Sequence, residues 1–543
     1  MKGLCVPFVL AVCAFGCTTA TYELNEDIGV QGEWTPEFAM PLGSVTMDLD
    51  GLEAWLDTED FVQNEAGTEF VYVRSIPLFD VGADDLLTWG PESASIVHGF
   101  SSAEAAALNA APDGNSVNVS FESTFDVGGG LGCSVEEAVF AGGSLVVSCV
   151  VEGPVGGSIG VTLPTLVLDG MPVEVQCAVG GSVQVPLAGC TWNLASPIPA
   201  EFSLNAIPGP GNSVPGETVQ VSLTLDPSAW STLAGSCAGL PPQSFSGSYT
   251  VDLFSNRPGQ VLHVADPRIY LTVENEQGIG AQITIDGLSV STAAGSMEIG
   301  GPGIESIPPL GPASPWGSML VWTHVLSNAN TTPNLSAVWD ASTGTFHYSG
   351  AVGWLDDPAG SGGLIRSGRV RGTATLEFPF NGYASGFVLR DTLKSDIAGA
   401  LEDALPDPFT WDDVDAVTVR VHVENGLPVG GRLEAFFADS AGTPLESLFG
   451  GALFLDLVPG MVDFTLPDGH PDAGRVVAAG EGTWDVRLDG ATAAFLVESG
   501  CDRIVLRAEA TSHGAEAQRN VRFFPESAIS VACAARIDLN IAL

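Results

Sequence analysis

Short runs that alternate between apolar and polar residues dominate the chain. Clear examples are SLVVSCVVE (144–152), RIYLTVEN (268–275), TATLEFPF (373–380) and VTVRVHVEN (417–425). A period of two indicates β-strands with one buried face. Turn residues, among them 66 Gly and 36 Pro, separate these runs at the spacing of β-sandwiches. The pattern predicts a mainly β protein made of several antiparallel, immunoglobulin-like β-sandwich domains with few short helices.

Helical periodicity is confined to two segments. In TLKSDIAGALEDAL (392–405) a Leu or Ile recurs every four residues, Asp391 precedes the segment as a candidate N-cap, and Pro406 ends it. DGLEAWL (50–56) predicts a second, shorter helix with its large apolar residues on one face. We expect the apolar stripe of the longer helix to lie against a sheet.

The first residues, MKGLCVPFVLAVCAFGC, have the pattern of a signal peptide. Lys2 provides the positive end, and the apolar stretch from Leu4 to Phe15 is too short to span a bilayer. Gly16 fits the small residue that precedes a cleavage site. The sequence therefore predicts a signal peptide over residues 1–16, and it contains no later apolar run of membrane-spanning length.

Cys17 stands directly after that cleavage site and resembles the lipobox cysteine of bacterial lipoproteins, which is acylated. Acylation would anchor the protein in a membrane, because two acyl chains hold a protein stably at a bilayer. Ordinary secretion with a chance cysteine is the alternative, and Cys13 is a less suitable attachment site because the bulky Val12 precedes it.

The charge balance limits the partners of this protein. The chain has 65 acidic and 18 basic residues, a net charge of −47. Such a chain repels phosphate backbones and lacks a basic patch for anionic lipid heads, which argues against nucleic-acid binding. Only 15% of the residues are charged and 45% are hydrophobic, so the chain is expected to fold rather than form a disordered acidic tail.

Stretches rich in Pro and Gly mark candidate boundaries at 207–217, 300–317 and 405–413. They predict the following organisation: a signal peptide (1–16), a lipidated flexible tether (17–30), an N-terminal α+β segment (31–110), a β-sandwich region with two repeats (111–300), a β region ending in a helix (301–405), and a C-terminal β-sandwich with a third repeat (406–543).

Three segments share an internal pattern. They begin near Val150, Thr272 and His422, and each has a β run, the pair Val-Glu, a turn containing Gly, and a second β run. Asn275 and Asn425 occupy the turn in the second and third segments, and Asn tolerates left-handed backbone angles there. We interpret the pattern as a repeated sandwich unit. The alternative is that Gly-rich β proteins produce such similarities by chance.

The strand, Asn turn and return strand of this repeat resemble the core hairpin of type-2 late-embryogenesis (water-stress) domains, which are immunoglobulin-like sandwiches. Further segments resemble uncharacterised outer-membrane lipoproteins of Bacteroidota, namely 34–49, 266–283, 378–393, 423–429 and 535–543. The resemblance implies a fold and an outer-membrane location, on the periplasmic or the cell-surface face. It implies no catalytic residues.

Seven cysteines follow Cys17, and in an exported protein they are disulfide candidates. Cys133 and Cys149 flank a Gly-Gly turn at residues 142–143, which predicts a hairpin that brings them together. By proximity in sequence we also expect Cys177 to pair with Cys190, and Cys501 with Cys533. Cys237 is then the odd thiol. In the alternative all seven are reduced core residues.

Candidate chemistry is sparse. Four tryptophans, Trp316, Trp322, Trp339 and Trp354, are concentrated in a short segment and could form a sugar-binding platform or fill a sandwich core. The loop WDDVD (411–415) has the oxygen density for weakly bound calcium but does not complete a calcium-binding loop, so a solvated loop is the alternative. No cofactor motif or His pair at metal-ligand spacing is present.

These features favour a lipid-anchored protein of the outer membrane that acts as a non-catalytic binding or adhesion module. Its expected partners are membrane lipid through Cys17, and a glycan or another envelope protein. A purely structural envelope protein is the first alternative. A glycan-handling hydrolase is the second, because paired carboxylates cannot be recognised by sequence among so many acidic residues.

Overall fold

The computed structural model describes residues 33–34, 37–48, 61–63 and 70–542, except residues 113, 127–131, 195–196, 212–214, 238, 253–260, 293–294, 340–342, 357–361, 395, 406–409, 448–454, 468–469 and 540. The predicted signal peptide, Cys17, the tether and the predicted helix at 50–56 lie outside the described residues.

Strands make up most of the described chain. The first fifteen are β1 (Glu33–Trp34), β2 (Glu37–Asp48), β3 (Phe61–Gln63), β4 (Phe70–Gly82), β5 (Glu92–Gly99), β6 (Val117–Phe125), β7 (Ser134–Phe140), β8 (Ser144–Val151), β9 (Val155–Leu168), β10 (Met171–Ala178), β11 (Ser182–Pro186), β12 (Thr191–Asn193), β13 (Ile198–Pro208), β14 (Thr218–Asp226) and β15 (Trp230–Ser236).

The remaining strands are β16 (Gln243–Asp252), β17 (Val261–Val264), β18 (Arg268–Asn275), β19 (Gly280–Thr292), β20 (Gly295–Glu298), β21 (Leu320–Leu326), β22 (Thr343–Leu355), β23 (Gly363–Ile365), β24 (Arg369–Pro379), β25 (Asn381–Lys394), β26 (Val414–Asn425), β27 (Val429–Ala438), β28 (Pro444–Ser447), β29 (Leu455–Leu457), β30 (Met461–Val462), β31 (Val476–Ala478), β32 (Gly480–Leu488), β33 (Arg503–Ser512), β34 (Val521–Arg522), β35 (Ala528–Leu539) and β36 (Ile541–Ala542).

The helices are short. They are α1 (Ala83–Leu86), α2 (Ser102–Ala110), α3 (Pro302–Glu305), α4 (Leu335–Val338), α5 (Ile397–Ala404) and α6 (Gly490–Glu498), with 3-10 turns at Trp411–Asp413 and Ala515–Ala517. Among the described residues, none of these helices has the length and apolarity needed to cross a bilayer.

Six of the eight sheets in the described chain pack face to face as three β-sandwiches, and the other two, β1-β36 and β30-β31, have two strands each; every named strand pair is antiparallel. Sandwich 1 joins the sheet β11-β8-β14-β5 to the sheet β23-β15-β7-β12-β9-β13-β6, with β10 beside β9. Sandwich 2 joins β21-β18-β24-β4-β3 to β16-β22-β19-β20. Sandwich 3 joins β2-β35-β26-β32 to β17-β25-β33-β27-β28, with β29 beside β27 and β34 beside β25. The predicted mainly β, antiparallel sandwich fold is confirmed, and so are the four strands quoted from the sequence.

The N-terminal strands are distributed over all three sandwiches. β2 pairs with β35 in sandwich 3, β4 with β24 in sandwich 2, and β5 with β14 in sandwich 1. The chain then completes sandwich 1, sandwich 2 and sandwich 3 in that order, except that β17 joins sandwich 3 early and β23 joins sandwich 1 late. The segment 31–110, expected as one α+β unit, therefore contributes an early strand to each sandwich instead of packing on its own.

The predicted helix at 392–405 is shorter than expected. Strand β25 continues to Lys394, and α5 begins at Ile397 with Asp396, not Asp391, as its N-cap: the Asp396 carboxylate accepts from Gly399 N at 2.9 Å. The helix rests on α6 and on strand β2, so its apolar side does lie against a sheet. An apolar residue at every fourth position did not distinguish the helix from the strand residues that precede it.

The repeated turn is a crossover between facing sheets rather than a hairpin. β18 ends at Asn275 in one sheet of sandwich 2, and β19 begins in the other. Asn275 is fully buried, and its Nδ2 donates to the carbonyls of Ile279 (2.8 Å) and Gly311 (3.1 Å). Its Oδ1 accepts from the N–H of Gln277 at 2.8 Å. The side chain thus replaces the sheet hydrogen bonds that the backbone loses at the corner.

Asn425 occupies the same corner in sandwich 3. It is fully buried, and its Nδ2 donates to the carbonyls of Val429 (2.6 Å) and Val458 (2.9 Å). Its Oδ1 accepts from the N–H of Leu427 at 3.0 Å. In sandwich 1 the step from β8 to β9 also changes sheet, but Gly153, with φ at +94°, stands at the turn.

Candidate functional site

The four tryptophans do not form an exposed platform. Trp339 and Trp354 are only 2% and 5% exposed, so the interpretation of these two as sugar-binding residues is wrong. The Trp339 ring lies 4.7 Å from that of Phe378, and the Trp354 indole donates to Pro241 O at 3.1 Å. Both fill the core of sandwich 2, because a large aromatic side chain contributes most to stability when it is buried.

Trp316 and Trp322 are half-buried. Trp322 stacks on His324 with ring centroids 5.6 Å apart. The Trp316 indole fills the space beside Gly278 and Gly363, where an added Cβ would lie 2.5 Å from the ring. Gly278 lies at the corner of sandwich 2 that follows Asn275, and β23, which begins at Gly363, pairs with β15 of sandwich 1. The Trp316 ring therefore packs between sandwich 2 and sandwich 1, and we call this contact the Trp316 wedge.

The disulfide of the structure joins Cys133 to Cys237, with Cα atoms 4.2 Å apart. The predicted Cys133–Cys149 pair is wrong, because β7 and β8 do not form a hairpin but belong to the two facing sheets of sandwich 1. β7 instead pairs with β15, with Ser134 opposite Ser236. Cys133 and Cys237 are the residues next to that pair, so the antiparallel ladder brings them together.

The other five described cysteines are buried free thiols, and the predicted pairs Cys177–Cys190 and Cys501–Cys533 are not formed. Cys177 turns toward strand β8, with its Sγ 3.6 Å from Val147 O, whereas the thiol of Cys190 points at Pro186 O. Cys533 lies on β35 in one sheet of sandwich 3. Cys501 stands just before β33, which belongs to the facing sheet. Burial raises the pKa of Cys533 to about 11, which keeps this thiol protonated and unreactive.

The acidic loop at 411–415 uses its carboxylates for local structure. Asp413 accepts from the N–H and hydroxyl of Thr410, both at 2.9 Å, and these hydrogen bonds lower the pKa of Asp413. Asp415 is paired with Arg487, and nearby Asp489 caps α6 by accepting from Thr492 N at 2.8 Å. Within the described residues no group of three or more His, Cys, Asp or Glu has the geometry of a metal site. Weak calcium binding stays a prediction.

A groove of about 640 Å³ lies where sandwiches 2 and 3 meet, and we call it the arginine groove. Its walls are held by backbone hydrogen bonds: Ala265 N donates to Asn381 O at 2.7 Å, and Asn381 pairs with Arg522 between β25 and β34. The lining residues are Ala265, Asp266, Asn381, Phe464, Leu466, Ala473, Gly474, Gln518, Arg519, Asn520 and Arg522.

Cationic and amide side chains converge in the arginine groove. The Arg519 guanidinium lies over the Phe464 ring, 5.0 Å from its centroid, and the imidazole of His513 lies 5.5 Å from the same ring. Arg522 donates to Pro471 O at 2.8 Å. Within the described part of the chain, the Oδ1 of Asn520 and the Nδ1 of His513 are buried without a hydrogen-bond partner.

The groove was missed by sequence reasoning. Its residues come from four segments that are far apart along the chain, near 265, 381, 464–474 and 518–522. The only local signal is RNVR (519–522), which places two arginines close together in a chain with 18 basic residues.

Comparison with known proteins assigns no family. No family model and no curated protein matches the chain. Among solved structures, a protein of Parabacteroides distasonis that is inferred to be secreted matches 92% of this chain and 99% of its own at 10% identity and a TM-score of 0.24. A triple jelly-roll turret protein of an archaeal virus matches 84% of this chain and 92% of its own at 9% identity and a TM-score of 0.11. At these TM-scores the matches carry no information about the groove.

Proposed function

We propose that this protein is a lipid-anchored, non-catalytic binding module of the bacterial outer membrane, attached through Cys17. The signal-peptide pattern before Cys17 and the resemblance to Bacteroidota lipoproteins support the anchor. The resemblance of the repeats to water-stress domains is consistent with a sandwich scaffold, although the crossover at Asn275 and Asn425 differs from the hairpin on which that resemblance rests.

The observation that carries the proposal is the pairing of β1 with β36, beside β2 and β35 in sandwich 3. The described chain therefore begins and ends at sandwich 3. The fifteen residues between Cys17 and Glu33 can span at most about 50 Å. An anchor at Cys17 would therefore hold sandwich 3 near the membrane, and with it the arginine groove at the junction of sandwiches 2 and 3. Such an arrangement would present the groove to ligands close to the membrane surface.

The side chains of the groove favour binding over catalysis. Arginine, amide and aromatic groups recognise ligands by charge, hydrogen bonds and stacking, and they need no reacting group. Asp266, the carboxylate in its wall, forms an ion pair with Arg268 at 2.6 Å. This carboxylate is therefore engaged with a side chain of the protein itself.

The anchor is tested by Cys17→Ala in the native host, with Cys13→Ala as the matched control. We expect wild type and Cys13→Ala to incorporate a labelled fatty acid and to fractionate with membranes, and Cys17→Ala to be soluble and unlabelled. Release by Cys13→Ala but not by Cys17→Ala would move the anchor to Cys13. Soluble, unlabelled wild-type protein would contradict lipid anchoring.

The binding role is tested with the soluble Cys17→Ala protein in gels that contain neutral or acidic polysaccharides. We expect retarded migration in at least one gel and no release of reducing ends from the polymer. Release of reducing ends would support the hydrolase instead. Unretarded migration in all gels, together with no binding to purified envelope fractions, would leave a purely structural role.

A further inference from the structure

We propose that the arginine groove binds a carboxylated sugar residue, with the carboxylate at Arg519 and Arg522 and the hydroxyls at the amide side chains. This inference rests on the proposed binding function and names its ligand class. The groove has the size of a ligand site, since its volume of about 640 Å³ falls within the usual range of about 300–1,000 Å³.

Arg519 offers the groove a cation that can bind an anionic ligand. The chain has a net charge of −47, yet Arg519 has no carboxylate partner among the described residues. Its guanidinium is held in place by the Phe464 ring, which leaves N–H groups free to donate to a planar anion. Carboxylates and phosphates both fit the fork of a guanidinium, so this contact alone does not choose between them.

The unpartnered acceptor in the groove favours a ligand that carries hydroxyl groups beside its anion. The Oδ1 of Asn520 is buried without a hydrogen-bond donor among the described residues, which costs free energy in the empty site. A simple carboxylate has no O–H group that could donate to it, and the single hydroxyl of a hydrogenphosphate is attached to the same atom that the arginines would hold. A ligand that combines an anion with neighbouring hydroxyls does, and a sugar acid has this combination.

Phe464 supplies the third part of the site. Its ring lines the groove beside Leu466 and Ala473, so one wall is apolar. The C–H face of a pyranose packs on such a wall while its hydroxyls reach the amides of Asn381, Gln518 and Asn520, which line the same cavity. A simple anion would leave this apolar wall uncovered.

The test uses two ligands that differ at one carbon: the methyl glycoside of galacturonic acid and that of galactose. Binding to the full Cys17→Ala chain is measured by calorimetry and by saturation-transfer NMR, with inorganic phosphate as a competitor. We expect the glycosiduronate to bind and the neutral glycoside to bind at least about 10-fold more weakly, because a hydrogen bond to a charged group is at stake.

Arg519→Gln is expected to weaken glycosiduronate binding by about 10-fold or more, whereas Arg487→Gln, which removes an exposed arginine paired with Asp415, is expected to leave it unchanged. Arg519 is exposed, so its variant should fold, and Phe464→Ala gives a second, charge-neutral test. Equal binding of the neutral glycoside, stronger binding of phosphate, or no effect of Arg519→Gln would overturn the inference. Retardation by a neutral polysaccharide without glycosiduronate binding would overturn it and leave the proposed function standing.

Discussion

Asn275 and Asn425 make the same three hydrogen bonds at equivalent corners of sandwiches 2 and 3. Each Nδ2 donates to the carbonyl four residues ahead and to a carbonyl of a later loop, and each Oδ1 accepts from the N–H two residues ahead. The loops that contain Gly311 and Val458 also donate a backbone hydrogen bond to the corner: Ala313 N donates to Gln277 O, and Gly460 N donates to Leu427 O. The two corners are therefore built in the same way, which is what the repeated pattern in the sequence predicts.

Replacing either asparagine should destabilise its own sandwich. Asn425→Ala leaves two carbonyls and one N–H buried without partners, so we expect a loss of about 2–3 kcal/mol in the free energy of unfolding. The exposed Asn118, which accepts from the Ser203 hydroxyl at 2.9 Å, is the control, and Asn118→Ala should cost less than about 0.5 kcal/mol. Urea unfolding of the soluble chain measures both. Equal effects of the two substitutions would argue against a structural role for the corner.

The sequence identified the strands and the repeated asparagines but not how the strands assemble. The alternation of apolar and polar residues shows that β7 and β8 each have a buried face. The same alternation is expected whether consecutive strands pair in one sheet or lie in the two facing sheets of a sandwich. The Cys133–Cys149 pairing failed for this reason, and so did the hairpin at Asn275. The arginine groove depends on contacts between segments such as Ala265 and Asn520, which no local pattern encodes.

The Cys133–Cys237 disulfide should contribute substantially to stability, because it closes a loop of 104 residues. The chain-entropy model gives about 4.7 kcal/mol for a loop of that length, and measured values for native disulfides fall between about 2 and 5 kcal/mol. We expect Cys237→Ala to lower the free energy of unfolding by such an amount. Cys190→Ala, which removes a buried free thiol, should cost about 1 kcal/mol.

The Cys133–Cys237 connectivity can be checked by peptide mapping of the unreduced protein. Tryptic sites are absent between Arg74 and Arg268, because Pro258 blocks cleavage after Arg257, so a glutamate-specific protease is the better choice. It should yield peptide 123–136, with Cys133, linked to peptide 218–274, with Cys237. A link from 123–136 to peptide 138–152, which contains Cys149, would restore the hairpin that the structure contradicts.

The buried thiol of Cys533 should make stability depend on alkaline pH. Burial raises the pKa of Cys533 from 9.0 to about 11, so the folded state keeps a proton that the unfolded state loses. The stabilisation is complete below pH 9 and is lost as the pH rises through 11, at about 1.4 kcal/mol per pH unit. In urea unfolding, Cys533→Ala should show a shallower decline over this window than wild type. Val531→Ala, a nearby core change, should lower stability without altering the slope, and parallel curves for wild type and Cys533→Ala would contradict the prediction.

The Trp316 wedge at Gly278 predicts a specific coupling between these two positions. A Cβ at Gly278 would lie 2.5 Å from the indole, so Gly278→Ala must displace the ring and should cost about 1–3 kcal/mol. In a Trp316→Leu background the ring is absent, and the same substitution should cost at least about 1 kcal/mol less. Gly353→Ala is the matched control, because its Cβ would meet only Gln282 O at 3.8 Å. Its cost should be the same in both backgrounds, whereas equal costs of Gly278→Ala in both would show that the indole does not constrain this corner.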